Sequence, residues 1–256
     1  ELQQYPHQLI DIRDPSEPYS AADFVRDADA VIHTALQQSK TPIIVGGTML
    51  YVQRFVRGIA ELPSADPALR EHLQQQLQQH GVLAMHQRLV QLDAAAAAKI
   101  HPNNHQRLLR ALEVIEATGK SMSSQWQNAN SGGAELRLPI KLVTAAVVPK
   151  QREVLHAQIA TRFDAMLRSG FVAEVERLMQ RGDLHPDLPA MRAVGYRQAW
   201  QFLRGDVSHA DFIDQALAAT RQLAKRQLTW LRRWPGIDVQ SSANPGSLAQ
   251  QILQKL

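Results

Sequence analysis

Cysteine is absent from the sequence. Disulfides, thiolate metal sites and a cysteine nucleophile are therefore excluded, and the composition suits a reducing compartment such as the cytoplasm. No apolar run approaches the roughly 20 residues that span a bilayer, and no signal peptide opens the chain, so no membrane partner is expected. Charge imbalance is small: 28 Lys and Arg against 24 Asp and Glu give a net +4, so where the charges lie matters more than their sum. An initiator methionine is also missing. Glu1 opens the chain, and Leu9-Ile-Asp-Ile12 already reads as a strand. This leads to the expectation that an N-terminal segment is missing. What remains is ordinary globular material, 256 residues with 45% hydrophobic and 20% charged, long enough for one large domain or a domain with an insertion.

The stretch from Thr41 to Tyr51, Thr-Pro-Ile-Ile-Val-Gly-Gly-Thr-Met-Leu-Tyr, organises the rest. Ile43 to Val45 read as a short buried strand of the parallel kind. Gly46 and Gly47 permit a tight turn, and Met49, Leu50, Val52 and Phe55 begin a helical pattern. A strand running through glycines into a helix is where α/β sheets hold anions, because free N–H groups and the helix dipole point outward there. Thr48 adds a hydroxyl at that corner. An ordinary strand-to-helix turn with a capping threonine has the same sequence.

Taken in order, the Leu9–Ile12 strand is followed by a polar turn and by Ser20 with Asp23, the spacing of a capping box. The helix it opens carries Phe24, Ala28, Val31, Ile32 and Ala35. With the Ile43–Val45 strand this makes a βαβ unit and an α/β fold. Asp66 and Pro67 then read as N-cap and first helical residue. Leu69, Leu73 and Leu77 mark a glutamine-rich helix, followed by helices over Leu83–Leu92, Ala94–Ile100 and Arg107–Thr118. A wholly helical block at 65–135 inside an α/β chain reads as an insertion domain, with Ser131-Gly-Gly133 and Pro139 marking its exit. The core domain is then 1–64 with 136–256. Lys141 to Val148 is continuous enough to be a central strand, and helices follow over Gln151–Arg168, Phe171–Arg181, Ala190–Leu203 and Asp211–Trp234.

Gly119-Lys120-Ser121 is the only match to the end of a phosphate loop, but Val114 stands where the first glycine is required and a helix precedes it. It reads instead as a helix C-terminus with Gly119 in the left-handed cap position. His101 and His105 are the only histidines at helical spacing, and the intervening Pro-Asn-Asn makes them a loop rather than a metal face. The last long helix is more informative. At about 100° per residue, Arg221, Gln222, Lys225, Arg226, Thr229, Arg232 and Arg233 share an arc of about 140°, with no acid among them. Leu223, Ala224, Gln227, Leu228, Trp230, Leu231 and Trp234 occupy the remainder. A solvated structural face usually mixes in acids as i, i+4 partners, so this face suits a polyanion. Arg107 with Arg110, and Arg192 with Arg197 around Gly195-Tyr196, form further basic clusters.

Asp11-Ile-Arg-Asp-Pro15 with Tyr19-Ser20, Val45-Gly-Gly-Thr-Met-Leu-Tyr51, His101-Pro-Asn-Asn104, Gln106-Arg-Leu-Leu-Arg-Ala-Leu-Glu113, Arg192-Ala-Val-Gly-Tyr-Arg197 and Lys225-Arg-Gln-Leu-Thr-Trp-Leu-Arg232 occur in this order. In this the chain resembles, nearly end to end, the bacterial tRNA dimethylallyltransferases. The resemblance implies a P-loop-NTPase-like parallel sheet core and a helical insertion that grips the anticodon stem-loop of tRNA. It also implies dimethylallyl diphosphate as donor, the N6 amine of the adenine 3′-adjacent to the anticodon as acceptor, and Mg²⁺ with no ligands assigned. By motif, Thr48 is expected beside the target adenine, as catalytic and tRNA-contacting residue. Arg70, Gln106, Arg107, Leu108, Leu109 and Arg110 are expected to contact tRNA. So are Arg192, Ala193, Val194, Gly195, Tyr196 and Arg197, and Lys225, Arg226, Gln227, Leu228, Thr229, Trp230, Leu231 and Arg232. Gly46, Gly47 and Arg162 are expected at the diphosphate. The protein is expected to be a cytoplasmic monomer. The family's phosphate loop and Asp-Ser segment precede the motif at Asp11 and do not occur in this sequence. Two other readings share these features, a non-catalytic RNA-binding fragment and a prenyltransferase acting on free adenine nucleotides.

Overall fold

The computed structural model describes residues 5–59, 62–63, 66–129 and 132–241, with 246, 249–250 and 253–254 near the end. The expected boundary at 64/65 and Ser131 lie outside the described residues. The chain divides into two compact units, one formed by Glu1–Val52 with Lys141–Leu256 and the other by Gln53–Ile140.

Helices dominate both. In the first unit, α1 (Ala21–Gln37) begins at the expected capping box: the Ser20 hydroxyl accepts the Asp23 N–H while the Asp23 carboxylate accepts the Ser20 N–H. This satisfies two donors that a helix start leaves free. Val25, Ala28 and Ile32 bury one stripe. Helix α2 (Met49–Arg57) carries the chain across into the second unit. Strand β1 (Ala145–Val148), α8 (Arg152–Arg168), α9 (Phe171–Gln180), α10 (Tyr196–Leu203), α11 (His209–Arg232) and β2 (Asp238–Ser241) complete the first unit. Its core joins Phe163, Phe171, Val175, Met191, Trp200 and Phe212. Phe202 stacks on Phe212 at 5.4 Å between ring centres, and Phe163 meets Phe171 edge-on at 6.3 Å.

The second unit holds α3 (Pro67–Leu92), α4 (Ala94–Ala97), α5 (His105–Thr118), α6 (Met122–Ala129) and α7 (Ala134–Arg137). Asp66 caps α3 by accepting the N–H groups of Ala68 and Leu69, with Pro67 in the first turn. Gly81, at φ 78° and ψ 165°, breaks α3 into the two helices that the sequence suggests. Leu73, Leu89, Leu108, Leu112 and Val114 form the core. Asp93 caps α4 through one oxygen and accepts the Ser123 N–H at 2.7 Å through the other. Gly119 ends α5 in the left-handed conformation, φ 67°, which glycine adopts without steric penalty.

The strands depart from expectation. Leu9–Ile12 is not a strand, because Leu9 (φ 63°) and Asp11 (φ 53°) turn the chain out of the extended region. Ile43–Val45 is not one either; Ile43 and Val45 are 82% and 83% exposed and no strand pairs with them among the described residues. The βαβ unit is therefore not formed by these segments. Only the second half of Lys141–Val148 is strand, and among the described residues it is not central: β1 pairs there in parallel with β2 alone, Ala145 opposite Asp238 and Val148 opposite Ser241. The helix expected from Ala190 starts at Tyr196, where Gly195 (φ 96°) ends a turn. Elements α6, α7 and β2 were not foreseen in the sequence. No helix among the described residues is long and apolar enough to cross a membrane.

Candidate functional site

Thr48 stands immediately before α2. Its carbonyl accepts the N–H groups of Tyr51 (2.9 Å) and Val52 (3.3 Å), which closes the first turn and leaves the residue exposed. Tyr51 fixes that turn. Its ring stacks on Phe24 at 5.1 Å, and its hydroxyl donates to the Tyr19 carbonyl at 2.7 Å. The Tyr19 hydroxyl in turn donates to Asp27 at 3.0 Å, and burial with the neighbouring Asp27 carboxylate pushes that phenol up to about 12. It stays protonated and structural at neutral pH.

The Gly-Gly turn before Thr48 meets α11. The Gln227 side-chain amide donates to the Gly47 carbonyl at 2.8 Å, across 180 residues of sequence. A Cβ added at Gly47 would lie 2.6 Å from the same amide nitrogen, whereas one at Gly46 would meet nothing within 4 Å. The structure thus brings Gly46, Gly47 and Thr48 to the helix that carries the basic face.

On α11, Lys225, Arg226 and Arg232 are exposed, as are Arg221 and, just past the helix, Arg233. None of the five takes part in an ion pair among the described residues. Some cations elsewhere do find acids: Arg181 binds Asp14 and Asp183, and Arg88 binds Glu116 at 2.7 Å. Unpaired charge on α11 keeps a positive face that an anion can neutralise. Thr229 donates to the Lys225 carbonyl and accepts from Arg232 at 3.2 Å, which steadies one of the guanidinium groups. Gln227, Leu228, Trp230 and Leu231 are half-buried on the other side.

Arg192 and Arg197 are exposed at either side of a held turn. Gly195 donates its N–H to the Gln198 side chain at 2.9 Å, and a Cβ there would sit 3.3 Å from the Phe171 ring. The Tyr196 hydroxyl donates to Glu174 at 2.5 Å, and its ring meets Phe171 edge-on at 5.2 Å. Burial and the Glu174 carboxylate push the Tyr196 phenol up to about 12. The Gly195-Tyr196 pair is fixed by these contacts, with Tyr196 an anchor. Ala193 is exposed and Val194 half-buried beside it.

The segment Gln106–Arg110 divides by face. Gln106 and Arg107 are exposed, while Leu108 and Leu109 are buried in the core at 0% and 5% exposure. Arg110 is engaged internally, with Glu113 at 2.9 Å and with the Pro63 carbonyl at 2.6 Å. The side chains available to a ligand are therefore those of Gln106 and Arg107. Arg70 is half-buried on α3. Arg162 lines a shallow groove along α8 with Val154, Ala157, Gln158, Thr161 and Ala165, and no hydrogen bond or ion pair joins it to Gly46 or Gly47. Among the described residues no three His, Asp or Glu side chains converge as metal ligands.

Sequence reasoning missed Gln227 as a link between turn and helix. The available signal was a lone amide on the apolar side of the projected helix, where a polar group requires a partner.

The model of the IPP transferase family matches residues 1–234. A curated tRNA dimethylallyltransferase of Chromohalobacter salexigens is 53% identical over 237 residues, covering 93% of this chain and 75% of that protein. The crystal structure of a Bacillus halodurans tRNA isopentenylpyrophosphate transferase is similar with a TM-score of 0.64 at 33% identity, over 98% of this chain and 77% of that one. A Staphylococcus epidermidis tRNA isopentenylpyrophosphate transferase gives 0.64 at 27% identity, over 100% and 83%. A eukaryotic dimethylallyltransferase acting on tRNA shares the fold, with a TM-score of 0.72 at 23% identity over 95% of this chain and 61% of that one. The match of the family's model from Glu1 to Trp234 and the 53% identity to one of its enzymes place this chain in the IPP transferase family.

Proposed function

We infer that the protein is a tRNA dimethylallyltransferase. It transfers the dimethylallyl group of dimethylallyl diphosphate to N6 of the adenine 3′-adjacent to the anticodon. The observation that carries this reading is the Gln227–Gly47 contact, which sets the Gly-Gly-Thr turn beside a helix whose exposed cations have no acidic partners among the described residues. One end of that arrangement suits a reacting base, the other a nucleic-acid backbone. The names of the relatives, which act on tRNA, support the same substrate.

In the reaction the N6 lone pair attacks the allylic carbon, the carbon–oxygen bond to diphosphate breaks, and N6 loses a proton. Thr48 presents a hydroxyl that can hold the N6 hydrogen in line during attack. The target base must leave the stack to reach it. Gly46, open on its Cα side, is where we place the diphosphate, with Arg162 as the weaker contact. Lys225, Arg226 and Arg232 bind phosphates of the tRNA, as do Arg70, Gln106 and Arg107 in the helical unit. Phosphate contacts fix register and affinity, and base contacts decide which adenine reacts. Mg²⁺ would neutralise charge on the departing diphosphate. The described residues offer no carboxylate or imidazole cluster that fits the ion, so no step is assigned to it here. The fold class that goes with this function is a P-loop-like parallel sheet, to which the parallel β1–β2 pair would belong, and the compartment is the cytoplasm.

Incubation with unmodified tRNA and dimethylallyl diphosphate, followed by nucleoside mass spectrometry, tests the assignment. Dimethylallyl-adenosine at the position after the anticodon is expected. Faster transfer to free adenosine phosphates than to tRNA would overturn it.

A further inference from the structure

Gln227 lies within a helix whose neighbouring cations face solvent, yet its amide turns to the Gly47 carbonyl at 2.8 Å. Two features of this contact follow from the placement of one atom, the Gln227 amide nitrogen. One is the hydrogen bond. The other is steric: a Cβ on Gly47 would come within 2.6 Å of the Gln227 amide nitrogen, closer than any real packing contact. Glycine at 47 is thus not required by its own backbone, whose φ is not in the left-handed region. A Cβ at 47 would instead displace the Gln227 amide seated against it. Nothing comparable crowds Gly46.

The consequence concerns Thr48. Its peptide follows Gly47 directly, and its carbonyl carries the first turn of α2. Whatever fixes the Gly47 carbonyl fixes the direction in which Thr48 leaves the turn. On the tRNA side, Lys225 and Arg226 stand two residues and one residue before Gln227 on the same helix. We propose that Gln227 is a positioning residue, whose amide holds the Gly46–Thr48 turn in register with the phosphate-binding face of α11. A tRNA seated on that face is then delivered to Thr48 at a set distance. This role rests on the prenyl-transfer reading and refines it: Gln227 acts on the turn, not on tRNA. An amide suits the task, since its Nε2 donates to a carbonyl and its length reaches across from the helix. A carboxylate of the same shape cannot donate and would face the carbonyl oxygen with another acceptor.

The test uses Gln227→Glu, Gln227→Ala, Gly47→Ala and the Gln227→Ala/Gly47→Ala double variant of the full chain. Each is measured for single-turnover prenyl transfer at saturating tRNA, for tRNA affinity, and for hydrogen–deuterium exchange over residues 43–52. Each single variant is expected to slow transfer about tenfold, the scale of one lost hydrogen bond and a displaced reacting group. Affinity should stay within about twofold, because the phosphate contacts are untouched. Exchange over 43–52 should quicken in all four. Since both single changes break the same contact, the double variant should be no slower than the slower single. Loss of affinity with an unchanged transfer rate at saturation would overturn the role and make Gln227 a tRNA contact. Multiplicative effects in the double variant would overturn it too. Absence of transfer by the unaltered protein would remove the prenyl-transfer reading and this role with it, whereas unaltered transfer in the variants would remove this role alone.

Discussion

A hydroxyl helps a reaction only when the backbone beneath it is held, and at Thr48 the hold comes from both sides. Tyr51 locks the following turn onto Phe24 and Tyr19, and Gln227 locks the preceding one. The hydroxyl itself is exposed and supports no core packing. Thr48→Ala is therefore expected to lower turnover by about 10²-fold or less, the scale of one positioned hydrogen bond or proton-transfer contact. The melting temperature should hardly move. Single-turnover rates beside thermal scans check this; a marked loss of stability with normal turnover would make Thr48 a cap and nothing more. The same division of labour applies within Gln106–Arg110. Leu108 is fully buried against the α3 and α5 core, so Leu108→Ala should cost about 2–5 kcal/mol in stability by leaving a cavity. Arg107→Ala should change stability by less than about 0.5 kcal/mol while weakening tRNA binding. Denaturant titration and filter binding on the two variants separate the roles; equal stability of both would refute the buried assignment.

Helix α11 joins two jobs on opposite sides. Its inner side contributes Phe212 and Ala216 to the core and Gln227 to the Gly-Gly turn. Its outer side carries cations without acidic partners among the described residues. Each phosphate neutralised by such a cation releases condensed counterions, so binding must weaken with salt. Replacing Lys225, Arg226 or Arg232 by Ala should lower affinity alike for all tRNAs and flatten the salt slope by about 0.7 to 0.9 per change. Arg192 and Arg197, held around the anchored Gly195–Tyr196 turn, should affect turnover more than affinity. Titrations at several salt concentrations decide; an unchanged slope in the three α11 variants would make that face merely solvated. The helices and their ends were legible because caps are local. Ser20 with Asp23, Asp66 with Pro67, and Gly119 each satisfy groups within a few residues. The basic face was legible from periodicity for the same reason. Strands were not, because pairing is non-local: β1 pairs with a polar Asp-Val-Gln-Ser segment that no apolar pattern marks, while apolar Ile43–Val45 finds no partner among the described residues. Within the site, residue types were readable but facing was not. Leu108 and Leu109 lie inward, Arg110 is spent on Glu113, and Gln227 reaches a turn 180 residues away.

Across the whole chain, carboxylates tie segments that sequence leaves far apart. Asp14, in the turn before α1, binds Arg181 just after α9, 167 residues on, at 2.8 and 2.9 Å. The Arg181 guanidinium and the Ser16 hydroxyl hold the Asp14 carboxyl well below the usual range. At α1, the Ser20 hydroxyl and N–H lower Asp23 to about 2. In the other unit, burial pushes Asp93 upward, but hydrogen bonds from Ser123 and Ala96 outweigh it and its pKa is lowered. The signs agree. Each group is a weaker base in the folded chain, so the unfolded chain binds more protons as pH falls, and stability drops with pH. The contribution is complete above the ordinary aspartate value of 3.8 and is lost as pH falls through the folded values, about 2 for Asp23. Urea midpoints are expected to be level from pH 7 to about 5 and then to decline steadily towards pH 2. Asp14→Asn should lower the midpoint at neutral pH, because the Arg181 pair is weakened, and should make the decline shallower. The exposed pair contributes little in absolute terms, so the change in slope is the sharper readout. A midpoint independent of pH between 5 and 2.5, or an equally steep decline in Asp14→Asn, would show that these carboxylates are no better held in the folded chain than in the unfolded one.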